Sequence, residues 1–172
     1  MPTDTAVSLT FTLTSLEETT TLARRLINGL LHEPKVRTLL LRGPLGSGKT
    51  TLTRALVSQL AGKEQAEISS PSFTVCNHYP TTPPVLHCDL YRVGSRLPDE
   101  LFEAWENTGA DRPWVIIEWA EYILEHDLPQ EYLDILLQPC QEIRSVTVEP
   151  HGPRARCASQ HLTKDLSTPF LK

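Results

Sequence analysis

The sequence predicts an α/β domain built on a mostly parallel sheet with antiparallel hairpin additions. A complete G-x-x-x-x-G-K-[ST] phosphate loop occupies residues 43–50 and directly follows the apolar run 39–41. Strand-like and helix-like patterns follow one another along the chain. The run Val115-Ile116-Ile117 is continuously apolar and ends in Glu118, as is typical of a buried parallel strand.

Length and composition indicate one ordinary globular domain. The chain has 172 residues, and we expect residues 1–150 to form the domain and residues 151–172 a tail of uncertain structure. Within that tail only a short helical stretch near 158–166 is indicated. The net charge of −5 argues against a large basic face for nucleic acid. Neither a signal peptide nor an apolar run of membrane-spanning length is recognisable, so we expect a cytoplasmic protein without membrane contact.

The first half of the chain reads as two strand–helix pairs. Apolar and polar residues alternate over 7–13, which predicts a strand. Ser15 to Glu18 is a capping-box pattern, and apolar residues then recur at helical spacing up to 33–35. A strand at 38–42 leads into the phosphate loop, and a helix over 49–60 follows it, ended by Gly62.

The second half predicts a hairpin, a helix, a central strand and a second hairpin. Gly, Pro, Asn and Thr clusters separate these segments. The predicted elements are strands 73–79 and 85–91 about a turn at 80–84, a helix from 98, the strand 115–118, a short helix over 120–125, and strands 132–137 and 143–149 around Pro139.

The phosphate loop predicts binding of a nucleoside triphosphate. Gly43 and Gly48 allow the backbone to fold around an anion, so that successive N–H groups point inward. The helix that follows directs the positive end of its dipole to the same place. Lys49 is expected to reach the β- and γ-phosphates, and the Thr50 hydroxyl to hold Mg²⁺. Further hydroxyl donors are available at Ser47 and Thr51.

Two carboxylates at predicted strand ends are candidates to complete the site. Glu118 resembles the acidic residue of a Walker B strand and would meet Mg²⁺ directly or through water. Asp89 shares one strand face with His87 and would reach the metal or the attacking water. A salt bridge between Asp89 and Arg92 or another base explains the same pattern equally well. His87 itself is better interpreted as a packed or hydrogen-bonded histidine than as a catalyst.

Ser72 and Trp119 each have a functional and a structural interpretation. Ser72, in Ser-Pro-Ser after the first nucleotide-binding helix, would be a hydroxyl that senses the γ-phosphate. The alternative is a simple β-turn. Trp119, directly after Glu118, would stack on a base or a partner side chain, or else pack as a buried aromatic.

The cysteines predict neither a metal site nor a redox motif. None of the four forms a C-x-x-C pair, and we expect free thiols in a reducing cytosol. These residues are Cys76, Cys88, Cys140 and Cys157.

Several of these motifs, in this order and spacing, resemble the bacterial TsaE (YjeE) family of tRNA threonylcarbamoyladenosine biosynthesis ATPases. The resemblance covers roughly residues 7–150. The motifs that carry it are Gly43-x-Leu45-Gly46-Ser47-Gly48-Lys49-Thr50-Thr51, Ser70-Pro71-Ser72-Phe73-Thr74, His87-Cys88-Asp89-Leu90-Tyr91-Arg92, Ile117-Glu118-Trp119-Ala120-Glu121 and Leu128-Pro129.

The resemblance implies a small three-layer P-loop NTPase-like domain that binds ATP and Mg²⁺. It implies an ATPase that is weak alone and rises in assembly with TsaD and TsaB, the transferase pair that modifies adenosine 37 of tRNAs reading ANN codons. tRNA would be met indirectly, through that complex. Pro44 departs from the family, where an acidic residue is usual, and its ring removes one N–H from the loop.

The resemblance also assigns roles by position. Lys49, Asp89, Glu118 and Ser72 would act in catalysis, with Thr50, Glu118 and Asp89 serving the metal. The turn at Ser15–Glu18, including Leu16, would approach the adenosine side of the nucleotide. The implied ATP-binding set is Leu16, Gly43, Leu45, Gly46, Ser47, Gly48, Lys49, Thr50, Thr51 and Trp119.

Two other function classes fit a phosphate loop. A small-molecule or nucleoside kinase would need an acceptor pocket and an arginine-rich lid, and no lid-like insertion is visible. A non-catalytic nucleotide-binding module would only signal its bound state. A GTPase is disfavoured because the sequence has no N-K-x-D segment to read guanine.

Overall fold

A computed structural model describes residues 8–65 and 74–163. One seven-stranded sheet runs through these residues in the order β1-β7-β6-β2-β5-β4-β3. Its strands are β1 (Leu9–Leu13), β2 (Thr38–Arg42), β3 (Cys76–Tyr79), β4 (Val85–Asp89), β5 (Trp114–Glu118), β6 (Tyr132–Cys140) and β7 (Ile143–His151). Its helices are α1 (Leu16–His32), α2 (Lys49–Val57), α3 (Asp99–Glu106) and α4 (Pro153–Thr163).

The centre of the sheet is parallel and its margins are antiparallel. Strands β6, β2, β5 and β4 are joined in parallel. The hairpin β3–β4 closes one margin, and β6, β7 and β1 form an antiparallel set at the other. The predicted mostly parallel sheet with antiparallel hairpin additions is therefore confirmed.

Helices cover both faces of the sheet, giving three layers. Leu39 and Leu41 of β2 join the core beneath α1, α2 and α4, whereas Leu40 faces the core beneath α3. This alternation follows from the two-residue period of a strand, and burial on both faces explains why β2 and β5 are apolar without interruption. All three leucines are fully buried.

Local signals account for where several helices begin and end. Ser15 caps α1 through its hydroxyl, which accepts a hydrogen bond from the Glu18 N–H at 3.1 Å. The Glu18 carboxylate in turn accepts from Thr14. Helix α2 is shorter than predicted, because Ser58 caps it and a tighter turn carries Leu60 into the core. The predicted helix at 120–125 is a pair of 3₁₀ turns, Ala120–Tyr122 and Glu125–Asp127.

The second hairpin turns later than predicted. Strand β6 continues through Pro139, and the turn lies at Gln141, which has a φ of 55°. Proline is tolerated there because β2 ends opposite Leu136, so that no strand in the described part of the chain flanks Pro139 on its second side.

Residues 153–163 form a longer helix than the short stretch near 158–166 that the sequence indicated. Helix α4 covers 153–163 and packs against α1, with Ala155, Ala158 and Leu162 fully buried. Its first N–H groups, on Arg154 and Ala155, donate to the Glu131 carboxylate at 3.0 and 2.9 Å. This cap comes from a distant residue, so Pro153 at the first helical position is the start signal that the local sequence carries.

The predicted free thiols are wrong for two cysteines. Cys76 and Cys88 form a disulfide between β3 and β4, whereas Cys140 and Cys157 are exposed free thiols, and free thiols were predicted for them.

Among the helices of residues 8–65 and 74–163, none combines the length and the apolar character that a membrane span requires.

Candidate nucleotide-binding site

The carboxyl ends of three neighbouring parallel strands bring the candidate residues together. The phosphate loop follows β2, Glu118 ends β5 and Asp89 ends β4. In the strand register, Glu118 lies opposite Leu41 on one side and opposite Asp89 on the other. Open α/β sheets bind their ligands at this edge. A cavity of about 430 Å³ lies here.

Two glycines shape the loop that forms the cavity floor. Gly43 and Gly48 have φ values of 134° and 102°, which strongly favour glycine. A Cβ atom at Gly43 would lie 2.2 Å from the carbonyl oxygen of Leu137, so a side chain is excluded there. A Cβ atom at Gly48 would meet the Arg144 side chain at 3.3 Å. The backbone path of the loop therefore requires glycine at position 43 and favours it at position 48.

Lys49 lies deep in the loop, with only 5% of its surface exposed. Its Nζ donates hydrogen bonds to the carbonyl oxygens of Gly43 at 2.7 Å and Pro44 at 3.0 Å. The same nitrogen stands 3.8 Å from the centre of the Trp119 ring, a cation–π distance. Burial lowers the pKa of Lys49, and the nearby acidic side chains oppose that shift.

Glu118 is the centre of a buried hydrogen-bond network. Its side chain is 2% exposed. Oε2 accepts from the Thr50 hydroxyl at 2.8 Å. Oε1 bonds to His87 Nε2 at 2.8 Å and accepts from Thr53 at 3.2 Å. The carboxylate is thus held rigidly against the hydroxyl that follows the loop lysine.

His87 supports this network from below the cavity. Its ring is fully buried, and Nδ1 lies 3.3 Å from the hydroxyl of Tyr79. The sequence interpretation of His87 as a hydrogen-bonded histidine is therefore confirmed. It orients the carboxylate of Glu118 and does not line the cavity.

Asp89 lies at the cavity wall next to Glu118. It is half-buried, and its Oδ1 accepts from the Tyr91 N–H at 3.0 Å. Because the two residues are direct neighbours in the parallel register, their side chains point to the same face of the sheet. The expected convergence of Asp89 and Glu118 is thus observed.

Trp119 has a strained backbone that directs its ring toward the loop. Its φ is 60° and its ψ is 41°, a left-handed conformation that is rare for a bulky residue. The ring lies over Lys49 and 4.7 Å from the ring centre of Tyr91. Such strain persists where the surroundings demand it, often at functional sites.

The remaining loop residues line the same cavity. Thr51 is half-buried, and Leu45 is 78% exposed. Ser47 is fully buried, and its Oγ has no hydrogen-bond partner among the described residues. A buried hydroxyl in this position fits an anionic ligand that accepts a hydrogen bond from it. The loop members that line the cavity are Leu45, Gly46, Ser47, Gly48, Lys49, Thr50 and Thr51.

Leu16 and Ser72 stand apart from this group. Leu16 is the first residue of α1, is 67% exposed and does not line the cavity. Ser72 lies outside the described residues, so its role as a switch stays a prediction. Conversely, Arg144 was not singled out from the sequence, yet it lines the cavity beside Gly48. It arrives from the start of β7, and no motif marks it.

The chemistry of these residues fits a magnesium–nucleotide complex. Mg²⁺ is commonly held by one or two carboxylates together with substrate phosphates and water. Thr50, Glu118 and Asp89 offer a hydroxyl and two carboxylates at one cavity. Among residues 8–65 and 74–163, no three His, Cys, Asp or Glu side chains form a metal-binding group of their own.

Comparison with known proteins identifies a family that matches most of the chain. The model of the family "Threonylcarbamoyl adenosine biosynthesis protein TsaE" matches residues 13–146. A Rickettsia felis protein named for tRNA threonylcarbamoyladenosine biosynthesis, TsaE, is 34% identical over 131 residues, which cover 76% of this chain and 72% of that protein. A Mycobacterium bovis protein of the same name is 34% identical over 137 residues, which cover 75% of this chain and 78% of that protein. The crystal structure of Bacillus subtilis YdiB matches with a TM-score of 0.72 and 26% identity, over 94% of this chain and 98% of that one.

The sheet order, the loop after β2 and the acidic strand end define a P-loop NTPase-like α/β protein. Its family match covers far more than half of the chain, and its relatives are similar along most of their length. The chain belongs to the TsaE family of proteins for threonylcarbamoyladenosine biosynthesis in tRNA.

Proposed function

We propose that the protein is a Mg²⁺-dependent ATPase that acts as an accessory subunit in threonylcarbamoyladenosine modification of adenosine 37, in tRNAs reading ANN codons. It works with the TsaD–TsaB transferase and meets tRNA through that complex. The observation that carries the proposal is the 2.8 Å hydrogen bond between Thr50, next to the loop lysine, and Glu118 at the end of the neighbouring strand.

The position of each site residue determines its proposed role. Backbone N–H groups of the loop, Ser47 and Lys49 bind and neutralise the phosphates. Thr50, Glu118 and Asp89 hold Mg²⁺, which supplies charge neutralisation at the terminal phosphates when it is bound. Asp89 is the more exposed of the two carboxylates, so it is suited to orient the attacking water. His87 and Thr53 fix the position of Glu118.

The test combines assembly and catalysis in one experiment. The full chain is mixed with TsaD and TsaB, and complex formation and release of inorganic phosphate from Mg²⁺–ATP are measured together. We expect slow release by the chain alone and faster release in the complex. Release of a phosphorylated metabolite in place of phosphate would point to a kinase, and tight ATP binding without hydrolysis in the complex would point to a signalling module.

Lys49→Ala is the decisive variant for the nucleotide site. Loss of the ammonium that neutralises phosphate charge should reduce ATP binding or phosphate release by at least about 100-fold, as for removal of a preorganised charged group. Lys63→Ala removes the same charge from an exposed position and is the matched control. Wild-type turnover by Lys49→Ala would refute the assignment of the loop.

A further inference from the structure

Two cysteines face each other across the hairpin that borders the nucleotide site. Cys76 of β3 and Cys88 of β4 are register partners, with Cα atoms 4.1 Å apart, and they are joined as a disulfide. The Asp89 N–H donates to the Val75 carbonyl at 2.9 Å, which makes Cys76 and Cys88 a non-hydrogen-bonded pair. Side chains of such pairs approach each other most closely, so the backbone presents the two sulfurs to each other.

The two cysteines differ in burial. Cys88 is fully buried in the core beneath α3, whereas Cys76 is half-buried on β3, the last strand of the sheet. We therefore expect an external thiol or disulfide to react at Cys76 rather than at Cys88. This division is that of an exposed entry cysteine and a buried resolving cysteine.

The bridge is one residue away from the site on both strands. Thr74 and Val75 precede Cys76 and line the cavity, and Asp89 follows Cys88 on the cavity wall. His87, which holds Glu118, precedes Cys88. The covalent link thus joins the two chain segments that form one side of the nucleotide site.

We propose that Cys76 and Cys88 are a reversible dithiol–disulfide couple that tunes nucleotide binding, with the oxidised form binding more tightly. Strand β3 has four residues and, within 8–65 and 74–163, pairs only with β4, so without the bridge it should open more readily than the central strands. Binding then has to order Thr74 and Val75 at the expense of conformational entropy. The bridge removes that cost in advance.

The chemistry is thiol–disulfide exchange with a glutathione-type couple as oxidant and reductant. In oxidation, the Cys76 thiolate attacks glutathione disulfide and forms a mixed disulfide, releasing one glutathione thiolate. The Cys88 thiolate then attacks the Cys76 sulfur and expels the second glutathione, and the two protons lost from the cysteines go to the two glutathiones. Reduction is the reverse, begun by glutathione at the Cys76 sulfur.

The first experiment tests the couple without any nucleotide. The full chain carrying Cys140→Ser and Cys157→Ser is equilibrated at a series of glutathione to glutathione disulfide ratios. Free thiols are then alkylated and counted by mass spectrometry. We expect the intramolecular disulfide to rise and fall reversibly across the series. A pair that never oxidises, or that stays oxidised in excess glutathione, would overturn the proposal.

The second experiment measures the consequence for the site, and this part depends on the proposed function. Affinity for Mg²⁺–ATP is measured by calorimetry on the reduced and the oxidised chain. We expect tighter binding after oxidation by about fivefold or more, the usual lower bound of coupling between sites. Cys76→Ser should bind like the reduced chain under both conditions.

The outcomes separate the two proposals. Equal affinity in both redox states would overturn the coupling and leave the nucleotide site intact. Absence of ATP binding in both states, with a reversible couple in the first experiment, would refute the nucleotide site. In that case slower amide exchange of β3 in the oxidised chain would still support the ordering of the strand by the bridge, and equal exchange would overturn it.

Discussion

Glu118 contributes both to the stability of the fold and to the proposed reaction. The side chain is almost fully buried and receives hydrogen bonds from Thr50, Thr53 and His87. A carboxylate in this position is tolerated because each of its oxygens has a donor. The same donors fix it opposite the phosphate loop, so removal of the carboxylate affects both folding and turnover.

Replacement of Glu118 by Ala should reduce stability and Mg²⁺-dependent turnover while sparing much of the ATP binding. The buried His87 Nε2 loses its partner, at a cost of about 1–3 kcal/mol in the free energy of unfolding. Urea denaturation and phosphate release at saturating Mg²⁺ measure the two effects. Glu125→Ala, an exposed acid of the same region, is the control. An unchanged rate would remove Glu118 from the mechanism.

Single residues of the site were predictable where a local pattern carries the chemistry. Lys49 and Thr50 belong to a motif of fixed spacing, and Glu118 ends a continuous apolar run. Arg144 belongs to no recognisable motif, and it lies beside Gly48 only because of the β6–β7 hairpin. The left-handed backbone of Trp119 is equally invisible in the sequence, since it results from the junction of β5 with a 3₁₀ turn.

At the scale of elements, helix α4 depends on a close approach to α1. A Cβ atom at Gly29 of α1 would lie 2.7 Å from the Ala158 carbonyl oxygen and 3.0 Å from a methyl carbon of Leu162. Small residues on both helices permit this approach. The weak apolar pattern of residues 153–163, with alanines at the contact, explains why the sequence indicated only a short helix there.

Gly29→Ala should therefore destabilise the protein, although the same change in an ordinary helix interior stabilises by up to about 1 kcal/mol. The added methyl group pushes α4 away from α1, at a cost of about 1–3 kcal/mol. Chemical denaturation measures the change. Asn28→Ala, at the exposed neighbouring position of α1, should stay within about 0.5 kcal/mol of the wild type. Stabilisation by Gly29→Ala would contradict this packing.

The sequence predicted the hairpin of β3 and β4 but not the disulfide that joins its two strands. The predicted turn at 80–84 is centred on residue 82, and Cys76 and Cys88 are each six residues from it (82 − 76 and 88 − 82). Symmetric pairing about that centre places them opposite each other, as the structure has them. The disulfide was missed because only C-x-x-C spacing was considered, whereas these two cysteines are brought together by strand register.

The partly buried Asp134 carboxyl of β6, which pairs with Arg42 of β2, should make the stability depend on pH. Burial raises the pKa of Asp134, although hydrogen bonds of 2.7 and 2.9 Å from Arg42 Nε and the charge of that guanidinium oppose the rise. A folded-state pKa above the unfolded one means that the folded protein holds the proton more tightly. The resulting stabilisation is complete below the ordinary pKa of about 3.9 and is lost as the pH rises through the folded-state pKa.

The difference in unfolding free energy between the wild type and Asp134→Asn isolates this contribution. It should fall as the pH rises from about 3 and level off above the folded-state pKa. Urea denaturation over this range measures it. In an Arg42→Met background the fall should extend to higher pH, because the guanidinium that lowers the folded-state pKa is gone. A difference that rises with pH would contradict the direction of the shift.

At the scale of the whole molecule, the site is a product of sheet topology. The loop, Glu118 and Asp89 are far apart in the sequence, and they meet because β2, β5 and β4 run parallel and end at one edge. Two buried parallel strands, β2 and β5, could be inferred from their apolar runs and the position of the phosphate loop. The order β6-β2-β5-β4 could not, because apolar runs do not say which strands are neighbours.

The same topology predicts that nucleotide binding stabilises the whole domain. The proposed ligand contacts residues after three central strands, so unfolding of the sheet has to release it. With ATP at 100 times its Kd in the presence of Mg²⁺, the free energy of unfolding should rise by about 2.7 kcal/mol. For a domain of this size that corresponds to an increase in Tm of about 5–10 °C.

Differential scanning fluorimetry across a series of ATP concentrations measures this shift. Tm should increase with the logarithm of ATP concentration for the wild type and for the control Lys63→Ala, whereas Lys49→Ala should show no increase. The comparison separates binding at the loop from a general effect of polyphosphate on an acidic protein, since both lysine variants carry the same net charge. An equal Tm shift in both variants would mean that the stabilising contact lies elsewhere on the molecule. It would refute binding of the nucleotide in the strand-end cavity.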